Sequence, residues 1–322
     1  MILLPTTGVG SFPKPSYLKG AHGVLDEESR RATTDFIRRQ EDIGIDVLVD
    51  GELYRGDMAT DYPRALSLPI SDWTRSYGNR FWRKGIVNRD LEWQGPIQTE
   101  QFKFAQGLTA KPVKGMLTGP TTLANWNFDS FYNDRERLIF AWAELIRKEV
   151  EELEKAGAKY IQIDEPAIAE RFWETDLFRE GLNRVTQGSK AYTITHICYG
   201  DFDLVYPTLG QLPINQIDIE LAQELDKKDS PLISRIREDP LTRYKDIAVG
   251  VIDVRPGIPV EPVDLVKRRI EKALEILAPN DECLQRIWIK PDCGFRTTKD
   301  PDVAYRKMEV MVEAVRQIRE SL

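Results

Sequence analysis

The chain has 322 residues, 41% of them hydrophobic, and a formal net charge of −7 from 45 basic and 52 acidic side chains. That balance excludes a disordered or collagen-like chain, and the acidic surplus argues against nucleic acid, whose phosphates need a basic face. The best local apolar run, Leu138 to Ile146, is too short for a membrane span and carries Glu144, so no membrane partner is expected. The opening MILLPTTGVG has no basic leader and meets Pro5 early, which leads to the expectation of a cytoplasmic protein. Three cysteines, an odd number, point to a reducing compartment rather than a disulfide framework. Only two histidines occur, His22 and His196, and a basic cluster at Arg80, Arg83 and Lys84 is small.

In chain order, the predicted strands are 6–11, 46–52, 112–119, 159–166, 192–200, 215–221, 247–254 and 286–294, runs rich in β-branched residues that often end in Gly or Pro. Helical spacing of apolar residues predicts helices over Glu27–Ile43, Arg135–Lys155, Val263–Leu277 and Asp302–Ile318. Strand–helix alternation carried eight times predicts an α/β fold, a (β/α)8 TIM barrel. A doubly wound sheet fits less well, because no GxGxxG follows the first strand. The connection over residues 53–111 is too long for an ordinary loop. Its aromatic and charged middle, SDWTRSYGNRFWRKGIVNRDLEW, reads as a hairpin excursion inserted after strand two. The expectation is a single barrel domain over 1–322 with a lid-like insertion.

Reactive residues of such barrels project from the carboxyl ends of the strands. Here those ends carry Ser11, Glu52, Asp164 with Glu165, His196 with Cys198, Glu220, and Cys293. His196 and Cys198 stand two apart and point to one face of a strand. That pair alone reads first as a buried histidine beside a core thiol. With Glu220 and Cys293 at neighbouring strand ends, the set suits a tetrahedral Zn²⁺. Cys283 precedes the last strand and reads as an ordinary half-buried thiol. Asp164, Glu165 and Glu52 are either salt-bridged rim acids or ligands for the ammonium of an amino acid. Trp126 and Phe128 are either core residues or one wall of a flat donor site.

The motifs LLPTTGVGSFP, DVLVDGE, SYGNRF, KPVKGMLTGPTTL, YIQIDEPA, THICY, IDIE and PDCGF occur in order from residue 3 to about 300. In them the chain resembles the C-terminal catalytic half of cobalamin-independent methionine synthase, and within that family the short stand-alone enzymes. The resemblance implies one zinc ion per chain on His196, Cys198, Glu220 and Cys293. It implies homocysteine held by Ser11, Glu52 and Asp164, and methyl transfer to its sulfur to give methionine. Trp126 falls in the donor region. Where the family has a histidine after strand seven, this chain has VIDVRPGIP, with Arg255. Arginine is a poor proton donor at neutral pH, and an N-methyl folate needs a proton on its leaving nitrogen. This leads to the expectation of a methylcorrinoid donor, methylcobalamin or a methylated corrinoid protein. The alternatives are methyltetrahydrofolate as donor, another thiol such as coenzyme M as acceptor, and a non-catalytic binding barrel.

Overall fold

The computed structural model describes residues 2–18, 25–75, 81–198, 200 and 202–322. Six parallel strands lie side by side in the order Ile287–Pro291, Asp246–Ile252, Gln216–Glu220, Tyr192–His196, Tyr160–Asp164 and Lys114–Thr118. Two short extended stretches close the ring. Thr7 N–H donates to Ile289 O at 3.0 Å, Val47 N–H to Thr6 O at 3.0 Å, and Lys114 N–H to Leu48 O at 2.9 Å. The bridges Thr6–Ile289, Thr7–Val47 and Leu48–Val113 are all parallel. The result is a (β/α)8 barrel. The first two positions are bridges rather than the full strands 6–11 and 46–52 expected from sequence. Gly8 and Gly10 let Val49 and Glu52 pack close against the first segment, where a Cβ would stand 2.8 Å from each, and the left-handed Gly51 (φ 77°) and Glu52 (φ 50°) end the second.

The helices follow from their faces and caps. Helix Glu27–Ile43 starts at Asp26, whose carboxylate accepts from Ser29 N–H, and stops at the left-handed Gly44. Helix Arg135–Lys155 buries Leu138, Ile139, Trp142, Leu145, Ile146 and Leu153. Its one fully buried acid, Glu149, faces the long excursion. Its carboxylate accepts from Trp93 Nε1 (2.8 Å), Ile97 N–H (2.9 Å) and Gln98 N–H (3.1 Å). Glu149 thus fastens the excursion to the barrel wall. The excursion does contain a hairpin, Thr74–Arg75 against Phe81–Trp82. The basic cluster's Arg80 and most of the SYGNRF motif lie outside the described residues, as does His22. The last helix runs Pro301–Ser321, one turn longer than its apolar pattern predicts. No described helix is long and apolar enough to cross a membrane.

The barrel interior is layered. Val47, Tyr160, Ala248 and Trp288 cluster at its amino-terminal end, with the Tyr192 ring stacked on Trp288 at 5.9 Å. Above this floor the interior is polar where barrels commonly carry branched apolar side chains: Lys114, Gln162, Gln216, Asp218 and Lys290 are all buried. The carboxyl-terminal layer holds Asp164, His196 and Glu220.

Candidate active site

His196 ends its strand at 2% exposure, and neither ring nitrogen has a hydrogen-bond partner among the described residues. Cys198 follows two residues on, Glu220 ends the neighbouring strand, and Cys293 sits just past Pro291. One donor atom from each of the four lies within 4.8 Å of the others. The turn bearing Cys293 is held from both sides. Lys290 Nζ donates to the carbonyls of Pro291 and Asp292, both at 3.1 Å. Asp292 Oδ1 accepts from Leu221 and Ala222 N–H, tying that turn to the residues after Glu220. Gly250 makes this possible, since a Cβ there would stand 2.2 Å from Asp292 Oδ1.

The electrostatics suit a cation. Burial and the ammonium groups of Lys290 and Lys114 push His196 well down, leaving the neutral imidazole that coordinates metals. A hydrogen bond with Cys293, burial, and the nearby Cys293, Glu220 and Asp164 charges push the Cys198 thiol well up. Two thiols, a neutral imidazole that makes no hydrogen bond among the described residues and a carboxylate therefore converge. The donor set fits a tetrahedral zinc site.

The candidate amino-acid ligands gather at the same rim. Gly294, next to Cys293, lies so close to Ser11 that an added Cβ would meet Ser11 Oγ at 2.2 Å. The carboxylate of Glu52 lies over Gly10, where a Cβ would stand 2.8 Å from Glu52 Oε1. Glu52 itself is held by Asp50, which accepts its N–H at 2.9 Å, and by Arg55 at 3.2 Å. Asp164 accepts from Gln162 at 2.7 Å, and burial with the nearby Glu52 charge pushes its carboxyl up to about 7. A cavity of about 480 Å³ borders Glu220 and is lined also by Asp292, Phe202 and Gln223 among others.

Several sequence expectations change. Glu165 is not a substrate acid: its oxygens accept from Thr121 N–H, Thr122 N–H and Thr122 Oγ1, capping helix Pro120–Trp126. Phe128 is 42% exposed with Lys84 Nζ 5.4 Å over its ring, so the core reading fails there; Trp126 is half-buried. Cys283 is buried at 6% rather than half-buried, with its Sγ 4.0 Å from Thr242 O. Arg255 is bound to Asp253 at 2.7 Å. Residues the sequence reading passed over include Arg55, Lys114, Asp218 and Lys290. Their signal was available: a lysine in the apolar run IWIKP, and an acid two residues before Glu220 in IDIE.

Fold and site together define a parallel barrel whose carboxyl-terminal rim gathers a His/Cys/Glu/Cys donor set beside buried carboxylates. The chain belongs to the cobalamin-independent synthase family, whose catalytic-domain model matches residues 4–317. It is 32% identical to the methionine synthase of Pyrococcus furiosus, over 99% of this chain and 94% of that protein. It is 33% identical to the 5-methyltetrahydropteroyltriglutamate–homocysteine methyltransferase of Bacillus licheniformis, of whose length it spans 43%. A B12-independent methionine synthase from Shewanella, solved in complex with selenomethionine, superposes with a TM-score of 0.83 at 26% identity, covering all of both chains.

These findings overturn the methylcorrinoid donor and the corrinoid-protein partner expected from Arg255: the family is cobalamin-independent, and the Bacillus relative is named for a pterin donor. The expectation rested on one position, Arg255, and that arginine is paired with Asp253.

Proposed function

We propose that this chain transfers a methyl group to the sulfur of L-homocysteine, giving L-methionine, with a 5-methyltetrahydropteroyl compound as donor. The observation that carries the reading is one rim holding two chemistries: four metal-ligand side chains within 4.8 Å, and Ser11, Glu52 and Asp164 against them. His196, Cys198, Glu220 and Cys293 would hold one zinc ion. Bound there, zinc lowers the pKa of a coordinated thiol, so that the acceptor sulfur is a thiolate at neutral pH.

The chain's own residues supply binding and orientation. Glu52 and Asp164, when ionised, accept hydrogen bonds from the substrate ammonium, and Ser11 adds a hydroxyl beside Gly294. The short reach from Ser11 to the turn bearing Cys293 suits a substrate whose thiol lies two methylenes from its α-carbon. With zinc held there, Cys198 and Cys293 would be thiolates and neutral His196 would add no charge, so the ligand set would keep the acceptor sulfur electron-rich. Trp126, at the end of its helix, offers an aromatic face for the donor ring. The names of the Pyrococcus and Bacillus relatives and the selenomethionine bound by the Shewanella protein support acceptor and product.

The test is methionine formation by purified, zinc-loaded protein from homocysteine with 5-methyltetrahydropteroyl mono- and triglutamate. Methionine should accumulate, and zinc should be present at one per chain. Absence of methionine with both donors, in protein shown to carry zinc, would sink the reading.

A further inference from the structure

Below the rim, two buried side chains make no side-chain hydrogen bond among the described residues. Asp218 is 0% and His196 2% exposed. Among the described residues, neither carboxylate oxygen of Asp218 and neither ring nitrogen of His196 makes a hydrogen bond. The two residues are register partners on adjacent parallel strands, whose backbones lie ~4.8 Å apart. Both face the barrel interior, His196 with Cys198 and Asp218 with Glu220, because residues two apart share a face. The ammonium groups of Lys114 and Lys290 act on both side chains, which puts them in one neighbourhood.

An unsatisfied buried polar group costs ~1–3 kcal/mol, so four such atoms on two adjoining side chains call for an explanation. An imidazole that gives one nitrogen to a metal keeps the other as an N–H donor, and that proton needs an acceptor. Two other acceptors are near. The Gln162 oxygen takes Lys114, while Asp164, the register partner of His196 on its other side, accepts from Gln162 at Oδ1 and is the carboxylate assigned above to the substrate ammonium. Gln216 is also unpartnered but lies two residues deeper, beside Ile194 rather than His196.

We propose that Asp218 is a positioning residue: its carboxylate accepts the ring N–H of His196 on the nitrogen that does not face the metal, directly or through one buried water. It thereby fixes the tautomer and the angle at which His196 presents its other nitrogen. The inference rests on the metal reading of the His196, Cys198, Glu220 and Cys293 cluster.

The test combines zinc affinity with ring NMR. Zinc dissociation constants are measured by competition with a chromophoric chelator for wild type, Asp218→Ala and Asp218→Asn. Long-range ¹H–¹⁵N spectra of zinc-loaded, ¹⁵N-histidine-labelled protein report the His196 tautomer; with two histidines in the chain, a His22→Gln variant assigns them. Wild type should show one tautomer with a slowly exchanging ring proton. Asp218→Ala should lose that proton signal and bind zinc ~10–100-fold more weakly. Asp218→Asn, which keeps an acceptor oxygen, should fall between. A merely structural Asp218 would change thermal stability and leave the dissociation constant and ring spectrum as they were, which would overturn the proposal. If Asp218→Ala does not fold, a rapidly exchanging or absent ring proton in zinc-loaded wild type overturns it by itself. Wild type that binds no zinc would sink the metal reading as well, whereas normal zinc with an unaltered Asp218→Ala sinks this inference alone.

Discussion

At the scale of the residue, the four donor side chains make unequal demands on the three cysteines. Cys198 and Cys293 converge with His196 and Glu220, whereas Cys283 sits beside Thr242 O. Cys293→Ser should therefore remove most of the zinc, read by metal analysis of the purified protein, and Cys283→Ser should leave zinc content unchanged. Asp164→Asn should keep its zinc but raise the homocysteine KM roughly 10- to 100-fold, the worth of one hydrogen bond to a charged group at ~1.5–3 kcal/mol. The pH profile carries a second check. With its carboxyl pushed up to about 7, Asp164 gains its binding charge only as pH rises through that value. Homocysteine KM should fall across the same interval, and this limb should vanish in Asp164→Asn. For stability the direction is opposite. A carboxyl pKa raised on folding favours the folded chain below the unfolded value, 3.8, and that contribution is lost as pH climbs through about 7. Most of these residues were legible as strand ends, since the period of two aims Asp164, His196, Cys198 and Glu220 at one interior. Adjacent Glu165 was not, because its partners, Thr121 and Thr122, lie about forty residues earlier at the start of a helix.

At the scale of the element, the long excursion is the part of the fold that sequence pattern describes least. Its length marked it as an insertion. What pins it down is one carboxylate on a helix that reads as ordinary amphipathic surface. Glu149 occupies a helical position with acidic neighbours, and only the packed structure makes it the acceptor for Trp93, Ile97 and Gln98. Glu149→Ala leaves three donors without their acceptor, and should cost ~2–4 kcal/mol of stability. Limited proteolysis should then cut between residues 88 and 98 under conditions where wild type resists. Glu149→Gln, which keeps one oxygen, should lose less in denaturant melts. An Ala variant as stable and as resistant as wild type would show that the excursion is held by other contacts. The first two ring positions teach a related lesson. Their β-branched runs predict strands, yet both are held only by bridges, the second ending at the left-handed Gly51 and Glu52, and the backbone just beyond carries Ser11 and Glu52.

At the scale of the whole molecule, the rim is assembled from segments as far apart as Ser11 and Gly294, so the site exists only when the ring is closed. The barrel itself was legible from eight alternations, because local periodicity records each strand. Its polar interior was less so, since Lys114 and Lys290 look out of place in apolar runs until the layers are stacked. The same architecture links metal to folding. Zinc would bind donors on three strands of the closed ring and find no such set in the unfolded chain, so it should stabilise the barrel as a unit. At free zinc ~1,000 times the dissociation constant, the gain is about 4 kcal/mol. For a chain larger than those that shift by ~2–4 °C per kcal/mol, this corresponds to a Tm increase of several degrees. Chelation should lower Tm by that amount in a single transition, and should make Cys198 and Cys293 reactive toward a thiol reagent while Cys283 stays slow. A Tm unaffected by chelator, with all three thiols equally reactive throughout, would mean that the rim neither binds the metal nor depends on it.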